Sequence, residues 1–117
     1  MSWEVEYLPE VEEDLKNIDG SQIKMIYKAI NKVSLNPMPN YLGGYGKPLG
    51  NHNAANLSGF CKIKLKSIGL RIIYKTIVTD TKMVIIVIGA RADEEVYEEA
   101  LKRILKHNYL CISRLPF

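Results

Sequence analysis

Between residues 60 and 66 the chain alternates apolar and cationic positions. Cys61, Ile63 and Leu65 interleave with Lys62, Lys64 and Lys66. A period of two predicts a half-buried β-strand. Residues 70–78 are mostly apolar and 83–88 (MVIIVI) wholly so, as in a central strand covered on both faces. Ser67–Gly69 and Thr79–Thr81 supply the turns between these three strands. Upstream, Trp3, Val5 and Tyr7 alternate with Glu4 and Glu6, which predicts a short N-terminal strand. Pro9 follows where a helix can begin, at its first position. Val11, Leu15 and Ile18 then recur on one helical face, and Asp19-Gly20-Ser21 breaks the pattern. Ser21 is the expected N-cap of a second helix that buries Ile23, Ile26, Tyr27, Ile30 and Val33 and stops at Asn36-Pro37.

From Asp93 the period becomes helical again, with Val96, Ala100, Leu101 and Ile104 on one stripe. Asp93, Glu94 and Glu95 at its start and Lys102, Arg103 and Lys106 near its end match the helix dipole. Between the second helix and the alternating strand, residues 36–59 hold Pro37, Pro39, Pro48 and five glycines, the pattern of a long loop. The element order β-α-α-β-β-β-α predicts an α+β fold. An N-terminal strand and a helical hairpin pack on a small, mainly antiparallel sheet, with a C-terminal helix. The 117 residues suit one domain, assigned to 1–107, followed by an apolar tail, 108–117.

Composition narrows the class. The chain is 47% hydrophobic and 25% charged, which excludes a wholly disordered chain. The longest apolar run, Met83 to Ile88, is far short of the ~20 residues of a membrane helix. The acidic N-terminus is unlike a signal peptide, so a cytoplasmic protein with no membrane partner is expected. Cys61 and Cys111 have no paired spacing and predict idle thiols.

The net charge is only +3, but it is unevenly distributed. Residues 1–20 carry seven acids and one base; residues 60–92 carry seven bases and one acid. Folding should gather those bases into a positive region that attracts phosphate, acidic protein or anionic lipid, unless it is simply a solvated strand face. With Ile68-Gly69 as a two-residue hairpin turn, Lys66 would stand opposite Arg71. Lys62, Lys64, Lys66 and Arg71 would then share one solvent-facing side, within reach of a single phosphate. Arg91 comes just past the central strand, either presenting its side chain to a cleft or pairing with Asp93 or Glu94. Tyr97 is expected at the edge of the core stripe of the last helix, half exposed.

Conventional catalytic sets are absent. His52 and His107 lack a Ser or Cys partner at a recognisable spacing, and no cluster suggests a metal. The stretch GYGKPLGN lacks the spacing of a phosphate-binding glycine loop.

Two segments, KIKLKSIGLRIIY (62–74) and IGARADEEVYEEALKRIL (88–105), resemble the RelE family of bacterial toxins. Weaker similarity extends over roughly residues 3–106. The loop 39–59 is longer than in compact members, and the tail is additional. The resemblance implies a ribosome-dependent endoribonuclease of a type II toxin–antitoxin system. Such enzymes cut messenger RNA in the ribosomal A site by 2′-OH attack, without metal or cofactor. It implies catalytic roles for Lys62, Lys64, Arg71, Arg91 and Tyr97, with Lys66 and Lys75 as further RNA contacts. Arg71 and Arg91 would stabilise transition-state charge, and Lys62 or Lys64 would transfer protons. Tyr97 would be a base, a stacking platform or both, since surrounding cations favour ionised side chains. The implied partners are a cognate antitoxin, ribosomal RNA and message. Two other readings are a gyrase-poisoning toxin of the same superfamily without RNase activity, and a non-catalytic basic module that binds RNA or protein.

Overall fold

A computed structural model describes residues 2–52, 55–89 and 93–107, with backbone alone at 49–52, 55–59 and 93–94. Arg91, Cys111 and the tail 108–117 lie outside the described residues. The elements run β1 (Glu4–Tyr7), α1 (Pro9–Lys16), α2 (Gly20–Val33), β2 (Lys47–His52), β3 (Ala55–Leu65), β4 (Leu70–Ile77), β5 (Lys82–Gly89) and α3 (Asp93–Lys106). The five strands form one sheet in the order β1-β5-β4-β3-β2. β1 runs parallel to β5, and every other pair is antiparallel. This is the expected α+β architecture with one strand added.

The added strand is β2, within the stretch expected to be loop. Pro48 and Gly50 disguise it, because neither favours a strand interior. β2 is an edge strand, where a missing N–H is tolerated, and its register shifts between those two residues. β3 begins at Ala55, five residues before the alternation becomes visible. Gly46 has a further reason to be glycine. A side chain there would collide with the Tyr74 hydroxyl and crowd the Cys61 sulfur and the Pro37 carbonyl.

β5 has neighbours on both sides, and Met83 to Val87 are fully buried along it. Ile26, Ile30 and Val33 of α2, Val11 of α1, and Val96, Ala100 and Ile104 of α3 join the same core. Pro9 opens α1 as the sequence predicts. The cap of α2 is Asp19 rather than Ser21: its carboxylate accepts from both the Ser21 N–H and hydroxyl. An ionised acceptor at a helix N-terminus also meets the dipole, which favours Asp19 over the neutral hydroxyl. Tyr27 lies outside the buried stripe and packs edge-on against Tyr7, ring centres 6.4 Å apart. Among the described residues, no helix is long and apolar enough to cross a membrane.

Candidate functional site

Cross-strand partners in an antiparallel sheet share a face, so the registers decide which cations meet. Lys64 stands opposite Arg71, and Leu65 opposite Leu70. The β3–β4 turn is therefore four residues, Lys66–Gly69, rather than two. Gly69 supplies the positive φ of 67° that closes it. The pairing is shifted by two residues from the expected one. Because strand periodicity is also two, every side chain keeps its predicted face. Lys66 is the exception: it lies in the turn, exposed, and no ladder pairing assigns it to either face.

Two rows define the basic face. Lys47, Lys62, Ile73 and Val87 lie side by side across β2, β3, β4 and β5. Lys64, Arg71 and Gly89 form the next row. Lys47 was hidden in the apparent loop. Only its pairing with Lys62 reveals that it extends the cationic surface onto the edge strand. Cys61, Ile72 and Tyr74 take the opposite face and are buried, while Ile63 and Leu65 on that face are partly buried. The Tyr74 hydroxyl donates to the Pro37 carbonyl at 2.7 Å, and burial pushes its proton affinity far up. Burial likewise raises the Cys61 thiol, so it is an inert core group.

α3 packs on the basic face. A Cβ on Gly89 would sit 3.5 Å from the Val96 side chain. The face is thus a rim beside a helix rather than an open sheet surface. Tyr97 is correspondingly 4% exposed, not half exposed. The Lys62 ammonium donates to its hydroxyl oxygen at 2.8 Å and lies 5.6 Å from the ring centre. Lys62 and Arg71 are partly buried, while Lys47 and Lys64 are exposed. Among the described residues, Lys62 and Lys64 form no ion pair with a carboxylate. Lys75 stands four residues along β4 from Arg71, roughly 13 Å away at ~3.3 Å per residue. Its ammonium sits 4.9 Å over the Phe60 ring, and burial holds it below the usual lysine range.

The structure thus brings Lys62, Lys64, Arg71 and Tyr97 together, adds Lys47, and keeps Lys75 apart. Such a surface suits a phosphate-bearing ligand: several cations and a phenol converge where a phosphoryl group can lie. Among the described residues, no three His, Cys, Asp or Glu side chains gather as metal ligands. His107, at the end of α3, engages Glu10 of α1 at 3.0 Å, away from this face.

No family model matches the chain. Over 46 residues, 38% of its length, it is 54% identical to the mRNA interferase toxin RelE of Escherichia coli (strain K12). The chain spans about half the length of that relative, 46%. Its fold superposes on a double arginine-to-alanine mutant of E. coli toxin RelE in the free state. The TM-score is 0.70 at 23% identity, covering 89% of this chain and 99% of the other. A chain of the toxin–antitoxin complex RelBE2 from Mycobacterium tuberculosis superposes with a TM-score of 0.62 at 20% identity, covering 80% and 95%. The fold is that of RelE toxins, and a substantial segment of the sequence is RelE-like as well.

Proposed function

We propose that this chain is the toxin of a type II toxin–antitoxin pair. It is a metal-independent endoribonuclease that cuts messenger RNA in the ribosomal A site and so stops translation. The observation that carries the reading is the Lys62–Tyr97 pair at 2.8 Å, beside Lys64 and Arg71 on one face of a RelE fold.

In the reaction the 2′-oxygen forms a bond to phosphorus as the bond to the 5′-oxygen breaks, leaving a cyclic phosphate. The 2′-OH proton passes to a base, and the departing oxygen takes one from an acid. Negative charge accumulates on the phosphoryl oxygens between these events. Arg71 and Arg91 are assigned to that charge, since guanidinium forks match phosphate geometry. Lys62 or Lys64, together with Tyr97, carries the protons. The burial of Tyr97 favours work by its hydroxyl over base stacking, because little ring face is available. No strong base stands among these groups, which explains why a ribosome would be needed to align the 2′-OH with the phosphate. Lys47, Lys66 and Lys75 are assigned to flanking phosphates. Acting on ribosome-bound message places the protein in the cytoplasm. A cognate antitoxin is its expected partner, as RelBE2 is a toxin–antitoxin complex.

Purified protein added to ribosomes programmed with a defined message should cut it at the A-site codon, read by primer extension. The same RNA without ribosomes should stay intact. Uncut message on ribosomes would overturn the proposal.

A further inference from the structure

β1 stops pairing at Tyr7, opposite Ile85, and among the described residues no strand pairs with the next stretch of β5 on that side. Two side chains take over its backbone groups. The Asp14 carboxylate accepts from the Ile88 N–H at 3.0 Å, and the Arg103 guanidinium donates to the Ile86 carbonyl at 3.0 Å. Arg103 also forks onto both Asp14 oxygens, at 2.7 and 2.9 Å, and onto Glu99 at 2.8 Å. It is 7% exposed. One arginine thus ties α3 to α1 and to the edge of β5.

Tyr97 and Arg103 lie about 120° apart around α3, at about 100° per residue, on either flank of buried Ala100. One flank is fixed by directional, charge-assisted bonds at β5. The other carries the Tyr97 hydroxyl to Lys62 on β3. The stripe between them, Val96, Ala100 and Ile104, is apolar. Its packing is non-directional and sets neither the height nor the roll of the helix to the tolerance of a hydrogen bond.

We propose that Asp14 and Arg103 are positioning residues for RNA cleavage: they fix the height and roll of α3 on the sheet and so hold Tyr97 against Lys62. The inference rests on the endoribonuclease reading above. It predicts a rate defect from residues that touch no RNA, acting through Tyr97.

The test is a double-mutant cycle in single-turnover cleavage on programmed ribosomes at saturating toxin. It is run at a temperature where every variant is folded by circular dichroism. Asp14→Asn should slow cleavage by about 10- to 100-fold, the cost of misplacing a group by about 1 Å. Ribosome affinity should stay within about twofold. Tyr97→Phe should slow the wild type strongly but add little in the Asp14→Asn background, because a misplaced hydroxyl has little left to lose. A purely structural role would instead make the two losses multiply, and that overturns the inference. Arg103→Lys keeps the charge but loses the fork; it runs through the same cycle and decides the matter if Asp14→Asn does not fold. Lys102→Ala, an exposed neighbour, should cut at the wild-type rate. Normal cleavage by Asp14→Asn, or by Tyr97→Phe alone, overturns the inference while leaving the endoribonuclease reading intact. A wild-type protein that does not cut overturns both.

Discussion

Two groups of charged side chains flank α3, and they are built in opposite ways. At the β5 edge, Arg103 and Asp14 are almost fully buried, and each charge meets its opposite within 3 Å. On the β2–β3–β4 face, Lys47, Lys62, Lys64 and Arg71 occupy neighbouring positions with the same sign. Like charges side by side on a sheet are destabilising, and among the described residues Lys62 and Lys64 meet no carboxylate. Charge that is buried and compensated holds the fold together. The lysine charges that repel one another at the partly open surface are stabilised when an anion arrives. The same residue types therefore carry different meanings on the two flanks of one helix.

The largest effect that could break this contrast is on stability. Asp14→Ala leaves the buried Arg103 guanidinium with Glu99 as its one carboxylate and the Ile88 N–H without its acceptor, and should cost about 2–4 kcal/mol in urea unfolding. Lys64→Ala removes an exposed charge from a repelling row and should stay within about 0.5 kcal/mol of wild type, with either sign. Similar losses in the two variants would erase the distinction between the flanks.

A smaller effect sharpens the other side of the comparison. If the basic face meets phosphates, Lys47→Ala and Lys64→Ala should each weaken binding to a short single-stranded RNA. Each should also lower the slope of log affinity against log salt by about 0.7. Lys16→Ala, which breaks an exposed pair with Glu13 on α1, should leave that slope unchanged. Equal slopes in all three variants would mean that the row of lysines is an ordinary solvated strand.

The two flanks also differ in how far they can be read from the chain. The basic face is legible because alternation over 60–66 fixes which side chains share a side, and a turn longer by two residues changes no side. The register itself is not legible, since Ser67, Ile68 and Gly69 fit several turn lengths. Lys47 is hidden by Pro48 and Gly50, which mask a strand that only an edge position permits. The burial of Tyr97 depends on how closely α3 settles against β3, which no local pattern records. The Asp14–Arg103 node is the least visible. Its partners are 89 residues apart, and in sequence each is one more charge on an amphipathic helix. Arg103 even fits the helix-dipole rule while serving a different purpose.

The smallest effect lies at the end of the same clamp, where Glu10 of α1 meets Lys106 at 3.1 Å and His107 at 3.0 Å. Burial alone would raise the Glu10 carboxyl. A backbone hydrogen bond, Lys106 and His107 outweigh it and hold the group at about 2, against an ordinary 4.5. The folded chain therefore binds fewer protons at Glu10 than the unfolded chain does over that interval, and stability rises with pH across it. The contribution is present in full above about 4.5 and disappears as the pH falls toward 2. The carboxylate is partly exposed and Lys106 largely so, and solvent screening limits the contribution to under about 1 kcal/mol. Glu10→Gln should be slightly less stable than wild type at pH 7, and the gap should close between pH 4.5 and 2 in urea titrations. A gap that stays constant across that range would mean that packing of Glu10, not its charge, fastens the end of α3. The electrostatic clamp would then end at Arg103.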